Sequence, residues 1–184
     1  MLSPLRTALV TLIAALMLVP GASAEDTTAG KECADADLEA TTHNLRRIRV
    51  AVVCLHNRIR AEHGLPALRA NRRLRKAARG HSRDMVRNRY FEHTTPEGVT
   101  MVDRILRAKY VDKRDGWALG ENLAWGTGSL GTPRGAVDAW MASPGHRANL
   151  LRRGYRELGV GVVLGVPVSD AAGTTYTVDF GVRR

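Results

Sequence analysis

No Gly-x-Ser-x-Gly elbow, no His-Glu-x-x-His helix, no glycine-rich phosphate loop and no Cys-x-x-Cys pair occurs in this 184-residue sequence. Their absence excludes the esterase, zinc-protease, nucleotide-hydrolysing and thiol-redox chemistries that those spacings serve. No internal repeat is present, which excludes solenoids and propellers. Long apolar runs are equally scarce. The one at residues 8–19 follows Arg6, is shorter than the ~20 residues a bilayer span requires, and is closed by Ala22-Ser23-Ala24. It reads as a signal peptide over residues 1–24, cleaved so that Glu25 begins the mature chain. The mature form is then expected to be secreted, with no membrane span.

Acidic residues are the minority, 18 Asp and Glu against 28 Lys and Arg, for a formal net charge of +10. They also cluster. In residues 25–45, Glu25, Asp26, Glu32, Asp35, Asp37 and Glu39 stand against Lys31 alone, which marks an acidic, flexible lead-in and leaves the folded part more basic still. A basic surface draws anionic envelope polymers, anionic lipid or nucleic acid. Export takes the chain away from nucleic acid, so no specific nucleic-acid partner is expected. The sequence does not fix an oligomeric state. The two cysteines, Cys33 and Cys54, are expected to pair in an oxidising compartment, tethering the lead-in to the first helix. Closing a loop of ~20 residues contributes about 3 kcal/mol.

Residues 46–184 read as one domain. Ile48, Val52, Leu55 and Ile59 recur at helical spacing up to Gly64 and Pro66, and a second helix over residues 71–88 carries Leu74, Ala77, Ala78, His81 and Met85 on one stripe. His81 on that stripe reads as a core histidine. Thr100 with Asp103 resembles a capping box, Thr132-Pro133 opens a fourth helix carrying Val137, Trp140 and Met141, and Ser143-Pro144 opens a short fifth with Ser143 as N-cap. The period then changes to two. Leu158, Val160, Val162 and Leu164, then Tyr176, Val178 and Phe180, predict an antiparallel pair joined through residues 165–173, with residues 121–125 as a third strand. Helices first and strands last predict an α+β domain with helices covering a small antiparallel sheet.

Three residues at element ends are candidates for chemistry: His93, Glu121 and His146. His146 falls in the first turn of the fifth helix, where the helix dipole keeps the ring neutral and able to accept a hydrogen bond or bind a metal.

Five ordered motifs carry a resemblance. Asn57-x-x-Arg60, Tyr90-Phe91-Glu92-His93, Gly120-Glu121-Asn122-Leu123-Ala124, Trp140-x-x-Ser143-Pro144-Gly145-His146-Arg147-x-Asn149-Leu150-Leu151 and Leu158-Gly159-Val160-Gly161 run in the order of the bacterial branch of the CAP (SCP-like) superfamily. That superfamily also holds cysteine-rich secretory, antigen 5 and pathogenesis-related type 1 proteins. The resemblance implies an α-β-α sandwich with a central cleft, lined in many members by two histidines and two glutamates. His93 and His146 match the histidines and Glu121 the first glutamate. Ser143 stands where the second glutamate would be. The remaining three suit Zn²⁺ with water completing the shell better than Ca²⁺. The resemblance further implies a binding or interaction module for a lipid or an anionic cell-envelope polymer. The alternative it leaves is a zinc-assisted hydrolase or protease with Glu121 as third ligand or as base. Glu121 cannot be both, so the expectation leans away from an enzyme. Ser143 beside His146 as a nucleophile is a further, weaker alternative.

Overall fold

The computed structural model describes residues 32–114 and 116–183. The expected signal peptide and the start of the lead-in lie outside the described residues. Helix α1 is Leu45–Glu62, α2 Arg72–Asn88, α3 Met101–Arg107, α4 Pro133–Ala142 and α5 Pro144–Leu150. The strands are β1 Arg69–Ala70, β2 Trp117–Gly126, β3 Glu157–Val166 and β4 Ser169–Arg183, in the order β1-β3-β4-β2. β4 pairs antiparallel with both long neighbours, and β1 pairs parallel with β3. The parallel edge strand was not anticipated, because two residues are too few to show a period. The expected loop over 165–173 is shorter than predicted, since β4 already begins at Ser169 and Gly165, at φ +98°, sits at the bulge in β3.

The helices cover both faces of the sheet. On one, Ile48, Val52 and Leu55 of α1 and Val137 and Trp140 of α4 pack on Val160, Tyr176 and Phe180. On the other, Leu74 and Ala77 of α2 join Ile105 of α3 and Tyr110. The caps are those the residue types dictate. The Asn71 side chain accepts from the N–H groups of Arg73 and Leu74, Thr100 and Asp103 form a reciprocal capping box, and Thr132 accepts from Gly135 N–H.

Two motifs are architectural. The Asn57 amide bonds both N–H and C=O of Leu68, while buried Arg60 donates to the carbonyls of Pro66, Leu150 and Arg152. Gly159 and Gly161 let α2 lie directly on β3. A Cβ at Gly159 would come within 2.1 Å of Arg75 N, and one at Gly161 within 2.4 Å of Ala78 C.

The acidic segment is pinned from Glu32 onward. Cys33 and Ala36 are buried, the Cys33–Cys54 disulfide ties the segment to α1, and Asp37 holds Arg134 at 2.7 Å. A flexible lead-in was expected there. The disulfide and the ion pairs of Asp37 with Arg134 and of Asp35 with Arg47 order it instead.

Candidate functional site

His93 stands on the loop that leaves α2. Arg89 ends the helix in the left-handed region at φ +55°, and the buried His81 Nε2–H donates to Glu92 C=O at 2.9 Å. His81 is thus a core histidine that fixes the loop bearing His93. Glu121 lies on β2, opposite Asp179 of β4. His146 lies in the first turn of α5, which Asn149 fastens to β2 by donating to Glu121 C=O at 3.1 Å and to Asn122 Oδ1 at 3.0 Å. Asn122 in turn donates to His146 C=O at 3.0 Å. Gly120 clears the space beneath, since a Cβ there would meet the Tyr155 hydroxyl at 2.2 Å.

The structure joins His93 to Glu121 directly, Nδ1 to Oε1 at 2.9 Å. The other Glu121 oxygen accepts from Arg104 Nη2 at 2.7 Å, and Arg104 Nη1 reaches the carbonyls of His93 and Val99. Glu121 is 2 % exposed at its side chain and His93 is 55 % exposed, so the carboxylate is the buried root of an imidazole that faces solvent. Burial works against the Glu121 charge, but the bonds from His93 and Arg104 outweigh it and hold the carboxyl below its usual range. The same bond raises the His93 pKa above that of free histidine. Behind Glu121, Asp179 is completely buried. Burial and the Glu121 charge push it far upward, so it stays protonated.

His146 is close enough to His93 to feel its charge. Its Nδ1 lies 2.9 Å from Ser143 Oγ. Ser143 occupies the N-cap position of α5, but its hydroxyl makes no cap bond and meets the imidazole instead, which departs from the expected cap. His146 has a lowered pKa, from burial first and then from the charge of His93. Both effects favour the neutral form of the ring.

The expected three-ligand zinc set does not fit this arrangement. Both oxygens of Glu121 are committed to protein donors, and among the described residues no group of three His, Cys, Asp or Glu side chains could hold one metal ion. The two imidazoles alone remain suitable donors. Arg104 and Asp179 belong to the site and escaped the sequence reading. Arg104 sits three residues beyond Met101, beside the inward stripe of α3, where an arginine signals a buried partner. Asp179 alternates with Phe180, a pattern that reads as solvent-facing unless both faces of the sheet are covered. Five surface cavities are lined by other residues, one of them, about 750 Å³, by Arg49, Arg75, Arg79 and Val160 among others. No helix among the described residues is long and apolar enough to cross a membrane.

Compared with known proteins, residues 53–180 match the cysteine-rich secretory protein family, CAP. An uncharacterized protein of Bacillus subtilis, YkwD, is 34% identical over 146 residues, 77% of this chain and 54% of that protein. An uncharacterized membrane protein of the same organism, YlbC, is 39% identical over 111 residues, 60% of this chain and 30% of that protein. The chain therefore spans about half, or less, of these relatives. Among solved structures, an extracellular SCP-domain protein from Bacillus anthracis has TM-score 0.59 at 32% identity, covering 79% of this chain and 45% of that one. An outer surface protein from Borrelia burgdorferi has TM-score 0.60 at 25% identity, covering 79% and 98%.

Proposed function

Since the chain belongs to the cysteine-rich secretory protein (CAP) family, we propose that it works as an exported binding module whose ligand, a lipid or another cell-envelope component, places a polar or anionic group between His93 and His146. One observation carries this reading. The site's ionised carboxylate, Glu121, spends both oxygens on His93 and Arg104, and Asp179 behind it is buried and neutral, so neither of these two is free to act as a base, and Glu92, whose charge also reaches His93, stands exposed on the loop. What the site offers outward is the His93 imidazole, whose charged form Glu121 favours, together with the His146 imidazole, whose neutral form burial favours, two groups suited to hold an anion or a hydroxyl. The disulfide, the expected signal peptide and the extracellular and outer-surface settings of similar proteins support export. The zinc-hydrolase alternative has weaker support, because Glu121 is available neither as third ligand nor as base.

Titration of vesicles made from total envelope lipid, and of solubilised wall fragments, tests the proposal. Binding should weaken about tenfold in His93→Ala and in His146→Ala, the loss of one charge-assisted hydrogen bond. It should also weaken as pH rises through the elevated pKa of His93. Binding that ignores both substitutions would sink the reading. Elemental analysis of the purified protein tests the alternative, which requires stoichiometric zinc that His93→Ala releases.

A further inference from the structure

β1 is unusually short, and its shortness opens a trench. Arg69 and Ala70 pair with Glu157 and Leu158 of β3, after which Asn71 N–H bonds Leu158 C=O at 2.8 Å and the chain turns into α2. Beyond Leu158, the outer edge of β3 has no neighbouring strand among the described residues. Pairing groups alternate along a strand, so the N–H and C=O of Val160 and Val162 face the same way as the C=O of Leu158, outward. A space of about 540 Å³ lies at the end of β1, between Val50 and Val53 of α1, Asn71 before α2 and Arg75 within it. It adjoins the 750 Å³ cavity, which continues past Val160 and Val162 toward Arg79.

Both walls carry arginine: Arg46 and Arg49 on α1, and Arg72, Arg75 and Arg79 on α2. No Asp or Glu lines either space, and none of the five pairs with a carboxylate among the described residues. Arg49 is half-buried, and burial with the charges of Arg75, Arg46 and Arg79 holds it below the usual guanidinium range. Like charges gathered around an unpaired strand edge are costly in the free protein, and an anionic partner removes that cost.

We propose that this trench is a strand-addition site for an extended acidic segment of a partner protein, which continues the line of β1 along β3. Side chains of an added strand alternate between the two faces of the sheet, so adjacent carboxylates meet the α1 arginines and the α2 arginines in turn. Arg72 to Arg79 rises about 10 Å along α2, the length of about three strand residues. The edge selects a peptide over other anions. A phosphate polymer or a lipid head group answers the arginines but has no donors for the carbonyls of Val160 and Val162, whereas a peptide backbone answers both. The absence of an aromatic side chain in either lining also argues against single-stranded nucleic acid, which binds by base stacking.

The probe is an acetylated and amidated peptide, Thr-Glu-Glu-Thr-Glu-Glu-Thr, titrated into the chain with its disulfide intact. Saturable binding is expected, with slowed hydrogen exchange at the Val160 and Val162 amides and about tenfold weaker binding when Arg49→Gln and Arg75→Gln are combined. The same peptide N-methylated at alternate amides keeps its charge but cannot pair, and it should not bind the wild-type chain. Equal binding of the N-methylated peptide would overturn the proposal. So would binding of linear polyphosphate without slowed exchange while the peptide fails, or failure of every anion at low salt, which would leave the arginines as guards against edge-to-edge aggregation.

Discussion

Around Glu121, charge is buried and matched: Arg104 and His93 each hold one of its oxygens, and Asp179 is neutralised by protonation. In the trench between α1 and α2, seven arginines line a strand edge without one carboxylate among them. The first cluster is part of the fold, because a buried ion left alone is expensive. The second contributes no stabilising pair to the fold, and its like charges, half-buried Arg49 among them, repel one another. Charge that the fold requires is satisfied from within, and charge that it does not require remains available to a partner.

The largest expected effect separates the two directly. Arg104→Leu leaves Glu121 buried without its guanidinium and should lower stability by about 3 to 5 kcal/mol, whereas Arg79→Ala should change it by no more than about 0.5 kcal/mol. Urea melts of both variants decide the matter, and similar costs would erase the distinction.

A buried ionisable group with no ion-pair partner gives a second case. His56, fully buried, donates from Nδ1 to Val52 C=O at 2.8 Å and packs edge-on against Trp140. Burial lowers its pKa to about 4. Between pH 6.5 and about 4 the unfolded chain binds a proton that the folded chain refuses, so stability falls with falling pH across that window. The loss reaches about 3 kcal/mol and levels off below it. His56→Phe should flatten this part of a stability-versus-pH curve, and a curve unchanged by the substitution would assign the acid sensitivity elsewhere.

On the trench side, backbone packing outweighs charge. Gly161→Ala drives a Cβ into the α2 backbone and should cost about 2 kcal/mol in thermal or urea unfolding, more than any single trench arginine.

The smallest effect is a titration. His93 owes its raised pKa first to the bond with Glu121, so its contribution to stability is present below the free-histidine pKa and is lost as pH rises through the folded value. In Glu121→Gln, the His93 midpoint followed by NMR should drop, while that of His146 should rise as the opposing charge of His93 weakens. Unchanged midpoints in both would mean that the two imidazoles do not sense this network.

Much of the fold was legible in the order of the residues. Ile48, Val52 and Leu55, and Leu74, Ala78 and Met85, mark their helical faces, and Thr100, Thr132 and Asn71 mark where helices begin. The motifs also led to His93, Glu121 and His146. Their division of labour was less visible. Asn57, Arg60, Gly159 and Gly161 proved architectural, and Ser143 proved to bond His146 where a cap bond was expected. β1 escaped notice because two residues carry no period, and Asp179 because its alternation with Phe180 mimics an outer face.

Helical stripes, caps and strand alternation are written within a few neighbouring residues, because they depend on local backbone geometry and on which side chains avoid water. The pairing of Arg104 with Glu121, the neutralisation of Asp179, the reach of the His93 charge to His146 and the open edge of β3 each join segments distant along the chain. They depend on strand register and on α2 and α3 closing the second face of the sheet. Only the assembled layers set those distances, and with them which charges are shielded from water and which stay exposed to a partner.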